Sequence, residues 1–157
     1  QHGAGGEIGH ICVNREEEDA CGCGLHGCLE QYASATGIAK LARKALSGEH
    51  EETVLHREPS AKDVFDAVKA GDALATRIAD EFGRYLGAAL ASLAVVVDPA
   101  VFVIGGGVSK AGEYLIEGIS RYYKDYAFHA SADTKFALAS LGNDAGMIGA
   151  AGMVCTL

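Results

Sequence analysis

Tryptophan is missing altogether from this 157-residue sequence, and proline occurs only twice, at Pro59 and Pro99. With 49% apolar content and no Gln- or Ser-rich tract, that scarcity excludes a mainly disordered chain and leaves ample material for one core. Basic residues are also in short supply. Lys and Arg number 13 against 21 Asp and Glu, a net charge of −8, which excludes the basic stripe of a nucleic-acid surface. No apolar run approaches the roughly 18 residues of a membrane span; the longest, Ala88 to Val97, stops at Asp98-Pro99. The opening Gln1-His2-Gly3-Ala4-Gly5-Gly6 has no basic run ahead of an apolar stretch, so it does not read as a signal peptide. It reads instead as a point inside a larger chain, and a cytoplasmic location is expected.

What is present in quantity is clustered sulfur. Of Cys12, Cys21, Cys23, Cys28 and Cys155, three fall between positions 21 and 28. An odd number so crowded makes a poor disulfide framework and reads as metal ligands. Cys21-Gly-Cys23-Gly-Leu-His-Gly-Cys28, with His10 upstream, offers three thiolates and an imidazole, a set suited to a closed tetrahedral Zn²⁺ site. Glycines at 22, 24 and 27 let the chain curl so that the sulfurs converge. His26 and Cys12 are alternatives to His10 as the fourth ligand, and Cys155 reads as an apolar packer. Glu7 precedes His10 by three positions and Glu30 follows Cys28 by two. A metal tying His10 to the cysteine loop would draw both carboxylates in, and paired carboxylates beside an imidazole are good acceptors for vicinal sugar hydroxyls.

The remainder alternates helix and strand. Ile8 to Val13 alternates like a short strand, with His10 and Cys12 on one face. Glu16-Glu17-Glu18-Asp19 reads as a solvated loop tip. Helical spacing runs from Leu29 to Leu46 with a break near Thr36-Gly37, and 48–59 reads as a loop. Ser60-Ala61-Lys62-Asp63 opens a short helix that ends at Gly71. Asp72 caps the longest helix, with Leu74, Ile78, Phe82, Leu86, Leu90 and Leu93 on its apolar face and an Asp80–Arg84 pair outside. Its small-residue half, Gly87 to Ser92, permits close backbone approach. Ala100 to Ile104 is continuous enough for a strand buried on both faces. It leads through Gly105-Gly106-Gly107 to a helix over 110–126. A second strand over 135–141 and a last helix follow, so the class is α/β.

Gly6-Glu7-Ile8-Gly9-His10, followed by Cys21-x-Cys23-Gly-x-x-Gly27-Cys28-Leu29-Glu30, resembles the sugar-site and zinc signature of the ROK family of bacterial kinases and repressors. Asp98-Pro99 through Gly107, and Leu141-Gly142-Asn143-Asp144-Ala145-Gly146 on through Ala151, resemble the same family, the latter closest to its glucokinases. The resemblance implies an actin-like, ribonuclease-H-like ATPase lobe with a zinc loop, Glu7, His10 and Glu30 on the sugar, and His10, Cys21, Cys23 and Cys28 on zinc. It implies Gly105 and Gly106 against the adenosine of ATP. The expected organisation is a C-terminal lobe over 1–157: sugar and zinc motifs in 1–35, helices in 36–99, and an αβ segment in 100–157. The family's phosphate loop and catalytic Asp are expected in an N-terminal lobe absent from this sequence. The activity implied is ATP- and Mg²⁺-dependent phosphorylation of a hexose, glucose first, with this chain inactive alone and the full protein a homo-oligomer. The alternative is the sugar-sensing region of a ROK repressor whose DNA-binding module lies elsewhere.

Overall fold

The computed structural model describes residues 2–48 and 52–155. Its axis is the helix that Asp72 opens. The Asp72 carboxylate accepts the Ala75 N–H at 2.8 Å, satisfying an orphan donor of the first turn. It also takes the Thr53 hydroxyl and the Val54 N–H, each at 2.8 Å, fastening the preceding loop to the helix start. The helices before it are α1 (Glu30–Ala33), α2 (Ala35–Gly48) and α3 (Ala61–Lys69); the long one is α4 (Ala73–Val97). It ends at Asp98, whose φ of 47° is left-handed, just before Pro99. Leu74, Ile78, Phe82 and Leu90 are buried as the stripe predicts, with Leu86 and Leu93 half-buried against the same core.

The local signals around α4 act as expected, with shifts of a few residues. Ser60 and Asp63 form a reciprocal capping box on α3, and Gly71 follows its end at φ 85°. The break between α1 and α2 falls at Ser34, earlier than Thr36-Gly37, because the Ser34 hydroxyl accepts the Gly37 N–H at 2.9 Å. Gly48 closes α2, and part of the expected 48–59 loop, residues 49–51, lies outside the described residues.

Helix α5 (Glu113–Tyr126) crosses α4 at its glycines. A methyl group on Gly87 would stand 2.7 Å from the Tyr123 nitrogen, so only hydrogen allows this approach. The expected Asp80–Arg84 pair gives way to a longer-range one: Asp80 is bonded to Arg121 of α5, and Arg84 lies over the Tyr85 ring. The start of α5 is also later than Lys110. Residues Gly107–Ala111 form a separate 3₁₀ turn, and Gly112 at φ 77° divides it from the helix.

Strands β1 (Val101–Ile104) and β2 (Lys135–Leu138) pair in parallel, Val101 opposite Lys135 and Ile104 opposite Leu138. The second strand is shorter than 135–141. Phe102 and Phe136 face inward onto the buried ring of Tyr123, at centroid distances of 5.7 and 5.2 Å. The Tyr123 hydroxyl donates to the Ser131 carbonyl at 2.6 Å, so α5 is fixed to the loop that feeds β2. The outer face is another matter: Val101 and Val103 are exposed, correcting the expectation of a strand buried twice. One helical layer covers one face, and a parallel sheet is buried on both only when two layers are present.

Helix α6 (Ala145–Cys155) is apolar on every side and has no buried residue. Cys155 is exposed and is not the packer that its residue type suggests. Among the described residues, no helix is long and apolar enough to cross a membrane.

Candidate functional site

Residues 7–30 fold as a knot of turns around sulfur. The expected strand over Ile8 to Val13 is absent. Gly6 at φ 91° turns the chain, and bonds from His10 N–H to the Glu7 carbonyl and from Ile11 N–H to the Ile8 carbonyl make a 3₁₀ turn over Ile8–His10. In that segment Cys12 forms an isolated antiparallel bridge with Cys28. The other wall of the knot hangs on Gly27, whose carbonyl accepts the N–H groups of Val13 and Asn14 at 2.7 and 3.2 Å. A turn closed by the Cys21 N–H on the Leu25 carbonyl, 2.7 Å, then brings Cys21 and Cys23 round.

This folding gathers His10, Cys21, Cys23 and Cys28, whose ligand atoms all lie within 4.8 Å of one another. The Cys21 sulfur is 3.8 Å from His10 Nδ1, and the Cys23 and Cys28 sulfurs are 3.6 Å apart. A tetrahedron of sulfurs at about 2.3 Å from a central ion has edges close to these separations. The donor set therefore fits a small divalent cation. Cys12 and His26, the alternative fourth ligands, lie outside the group.

Burial and crowding act on the thiols themselves. Burial, first, and then the neighbouring Cys23 and Cys21 thiols push Cys28 up to about 12. Cys23 is held below its ordinary value, chiefly by the Leu25 backbone N–H, against the effect of burial.

Both predicted carboxylates reach the cluster. Glu7 Oε2 lies 4.0 Å from His10 Nε2, on the side of the ring away from Cys21. Glu30, the first residue of α1, has Oε1 3.8 Å from the Cys21 sulfur. Both glutamates are exposed, so they form an open acidic rim beside a cluster in which Cys21 and Cys28 are buried and Cys23 is exposed. Gly105 and Gly106 lie elsewhere, in the turn that follows β1, where Gly106 has φ 77° and open space on its side-chain side.

Sequence patterning missed the support behind the cluster. Glu17, assigned to a solvated tip, has a side chain only 13% exposed, and its carboxylate accepts the Tyr32 hydroxyl at 2.5 Å. That bond is the main reason Glu17 sits below the usual carboxylate range, while burial and then Glu17 push the Tyr32 phenol up. Its neighbours Glu16, Glu18 and Asp19 are exposed as expected. No signal in the run itself distinguishes Glu17, because its partners come from α1 and α2.

The model of the ROK family matches residues 1–156. The chain belongs to the ROK family. Over 98% of its length it is 47% identical to a glucokinase of Halalkalibacterium halodurans, of which it covers 48%. Among solved structures, a ROK family glucokinase from Streptomyces griseus, in complex with glucose and AMPPNP, matches 94% of the chain and 50% of its own length at a TM-score of 0.82 and 32% identity. The DNA-binding transcriptional dual regulator NagC of Escherichia coli is 31% identical over 83% of the chain, which covers 32% of that protein. This ROK chain thus spans about half the length of the curated kinase it matches. Its α/β architecture is that of ROK sugar kinases.

Proposed function

We propose that this ROK chain is the sugar- and zinc-holding portion of an ATP-dependent hexose kinase that converts glucose to glucose 6-phosphate. The observation that carries the proposal is the acidic rim on the four-donor cluster: Glu7 beside His10 and Glu30 beside Cys21. In this reading, zinc held by His10, Cys21, Cys23 and Cys28 supplies a rigid cross-link and no reaction step. Glu7 and Glu30 accept hydrogen bonds from sugar hydroxyls. His10 serves both sides, with Nδ1 toward the sulfurs and Nε2 toward the rim. A ligating imidazole whose other nitrogen meets a carboxylate is fixed in tautomer and orientation. Glu7 therefore orients His10 as well as the sugar.

The nucleotide side of the proposal rests on Gly105 and Gly106, with the adenosine against their bare backbone. The adjoining turn supports this: a cavity of about 100 Å³ there is lined by Gly107 and by Lys62, Lys69 and Lys110. ATP and Mg²⁺ join the reaction with the groups that orient the attacking hydroxyl, which belong to the other half of the full-length enzyme. Three sequence zones divide the work: sugar and zinc over 1–35, helical support over 36–99, and a nucleotide-side αβ segment over 100–157 of an actin-like lobe. The bare outer face of β1 and the apolar, exposed α6 fit a lobe that functions covered by its other half as a cytoplasmic homo-oligomer.

The test has two arms. Calorimetric titration of the zinc-loaded chain should show glucose binding in preference to an N-acetylhexosamine, and no glucose binding would sink the sugar reading. A coupled assay should show no ADP release until the complementary half is added; robust turnover by the chain alone overturns its dependence on that half. The likeness to NagC supports a second reading, an inducer-sensing region of a repressor. A helix-turn-helix in the sequence preceding Gln1 of the full-length protein would decide for it, and a phosphate loop against it.

A further inference from the structure

Ten residues separate His10 from Cys21, and a free loop of that length would leave the two ligands loosely related. It is not free. Glu17 Oε2 accepts the Tyr32 hydroxyl at 2.5 Å and faces Lys40 Nζ at 3.5 Å, while Oε1 accepts the Asp19 N–H at 3.1 Å. Lys40 also pairs with Asp19 at 2.7 Å, and Asn14 donates to the same Tyr32 oxygen at 2.9 Å. Tyr32 is stacked on Tyr85 of α4, with ring centroids 4.0 Å apart. Gln31 spans the two ends of the cysteine loop. Its amide oxygen accepts the Cys28 N–H at 3.0 Å, and its amide nitrogen donates to the Asp19 carbonyl at 2.9 Å.

We propose that Glu17, Tyr32, Lys40 and Gln31 form a latch that sets the geometry of the metal loop and of Glu30, as positioning residues that touch neither metal nor sugar. A carboxylate this enclosed in a chain of net charge −8 is unfavourable unless its partners are fixed, and here they come from two helices. The side chains also divide the task by chemistry. The amide accepts from Cys28 with its oxygen and donates to Asp19 with its nitrogen; a carboxylate in its place would turn an oxygen on the Asp19 carbonyl. Gln31 and Tyr32 follow Glu30 directly on α1, so a shift of the latch moves the rim carboxylate with the sulfur cluster.

This inference rests on the metal reading above, and its test separates the two. Zinc affinity of the 157-residue chain is measured by competition with a chromogenic chelator, and ligand geometry by the visible spectrum of the Co²⁺-loaded chain. Glu17→Gln and Gln31→Glu should each weaken zinc about 10- to 100-fold and shift the cobalt bands, as losses behind a ligand shell do. Lys40→Met should do likewise, while Lys40→Arg, which keeps the charge, should stay within about threefold of wild type. Far-UV circular dichroism checks folding; if Gln31→Glu unfolds, the uncharged Gln31→Met carries the same expectation. Wild-type affinity and spectrum in both the Glu17 and Gln31 variants overturn the latch and leave the metal site standing. A wild-type chain that binds neither zinc nor cobalt overturns both.

Discussion

Gly27→Ala should undo the metal loop, and the structure sets the size of the effect. Gly27 has φ 71°, which costs an alanine roughly 1–2 kcal/mol. The new methyl would also stand 1.6 Å from the Asn14 carbonyl oxygen, far inside any contact distance, so segment 12–14 and residue 27 must separate. Separation breaks the two bonds that the Gly27 carbonyl accepts from Val13 and Asn14, at about 1 kcal/mol each. The sum is about 3–4 kcal/mol. If metal binding has to close the loop against that cost, affinity falls by about two to three orders of magnitude, at 1.4 kcal/mol per factor of ten. Gly24→Ala is the control, since Gly24 has φ 85° but no atom within 4 Å of a new methyl. Only the conformational cost remains there, roughly tenfold. Chelator competition on both variants, beside thermal unfolding with and without zinc, reads the two effects. Zinc affinity of Gly27→Ala within about threefold of wild type would refute the reasoning, since the steric cost cannot then exist.

Other consequences are independent of that loop. Gly87→Ala should destabilise the chain by up to about 2 kcal/mol, the overpacking cost of about 1–3 kcal/mol against the Tyr122 and Tyr123 backbone less a helix-propensity gain of about 1. Gly83→Ala, one turn earlier, meets the movable Tyr122 ring at 3.2 Å and the Gly118 backbone at an ordinary 3.5 Å, and should be neutral or slightly stabilising in urea titration; equal losses at both sites would contradict this packing. Cys23→Ser should lose zinc and glucose affinity together, and intact glucose binding in the metal-free variant would show the two to be separable. Asp72 lies below its ordinary pKa although burial, the largest influence, raises it; the Ala75 and Val54 N–H groups and the Thr53 hydroxyl outweigh that effect. Its stabilisation is therefore complete above the unfolded value near 3.9 and drains away as pH falls through the lower folded value. Asp72→Ala should cost about 1 kcal/mol at neutral pH, and the gap should close on acidification toward pH ~3. A gap that stays constant would count against it.

The gathering of His10, Cys21, Cys23 and Cys28 was legible because residue type at short spacing leaves chain geometry few options. Helix starts at Ser60 and Asp72 were legible for the same reason: a cap and the donors it serves lie three residues apart. Long-range pairing was not. Asp80 has a plausible partner at Arg84, yet Arg121 arrives from α5 and takes the contact. Glu17 looks like its acidic neighbours until α1 and α2 bring Tyr32 and Lys40 to it. The alternation in Ile8 to Val13 suggested a strand because side-chain period says nothing about glycine turns, and Gly6 converts it into a tight coil. Strand β1 looked doubly buried because apolarity records what a segment can tolerate, while exposure depends on which layers are present.

The stack of Tyr32 on Tyr85 has an optical consequence. With no tryptophan in the sequence, ultraviolet emission comes from 6 tyrosines, and the Tyr32 hydroxyl is bonded to a carboxylate. A phenol that shares its proton with a carboxylate emits weakly, so release of Glu17 would brighten it. Were the loop to open on withdrawal of a bound cation, Tyr32 would report it on a stopped-flow timescale with no attached dye.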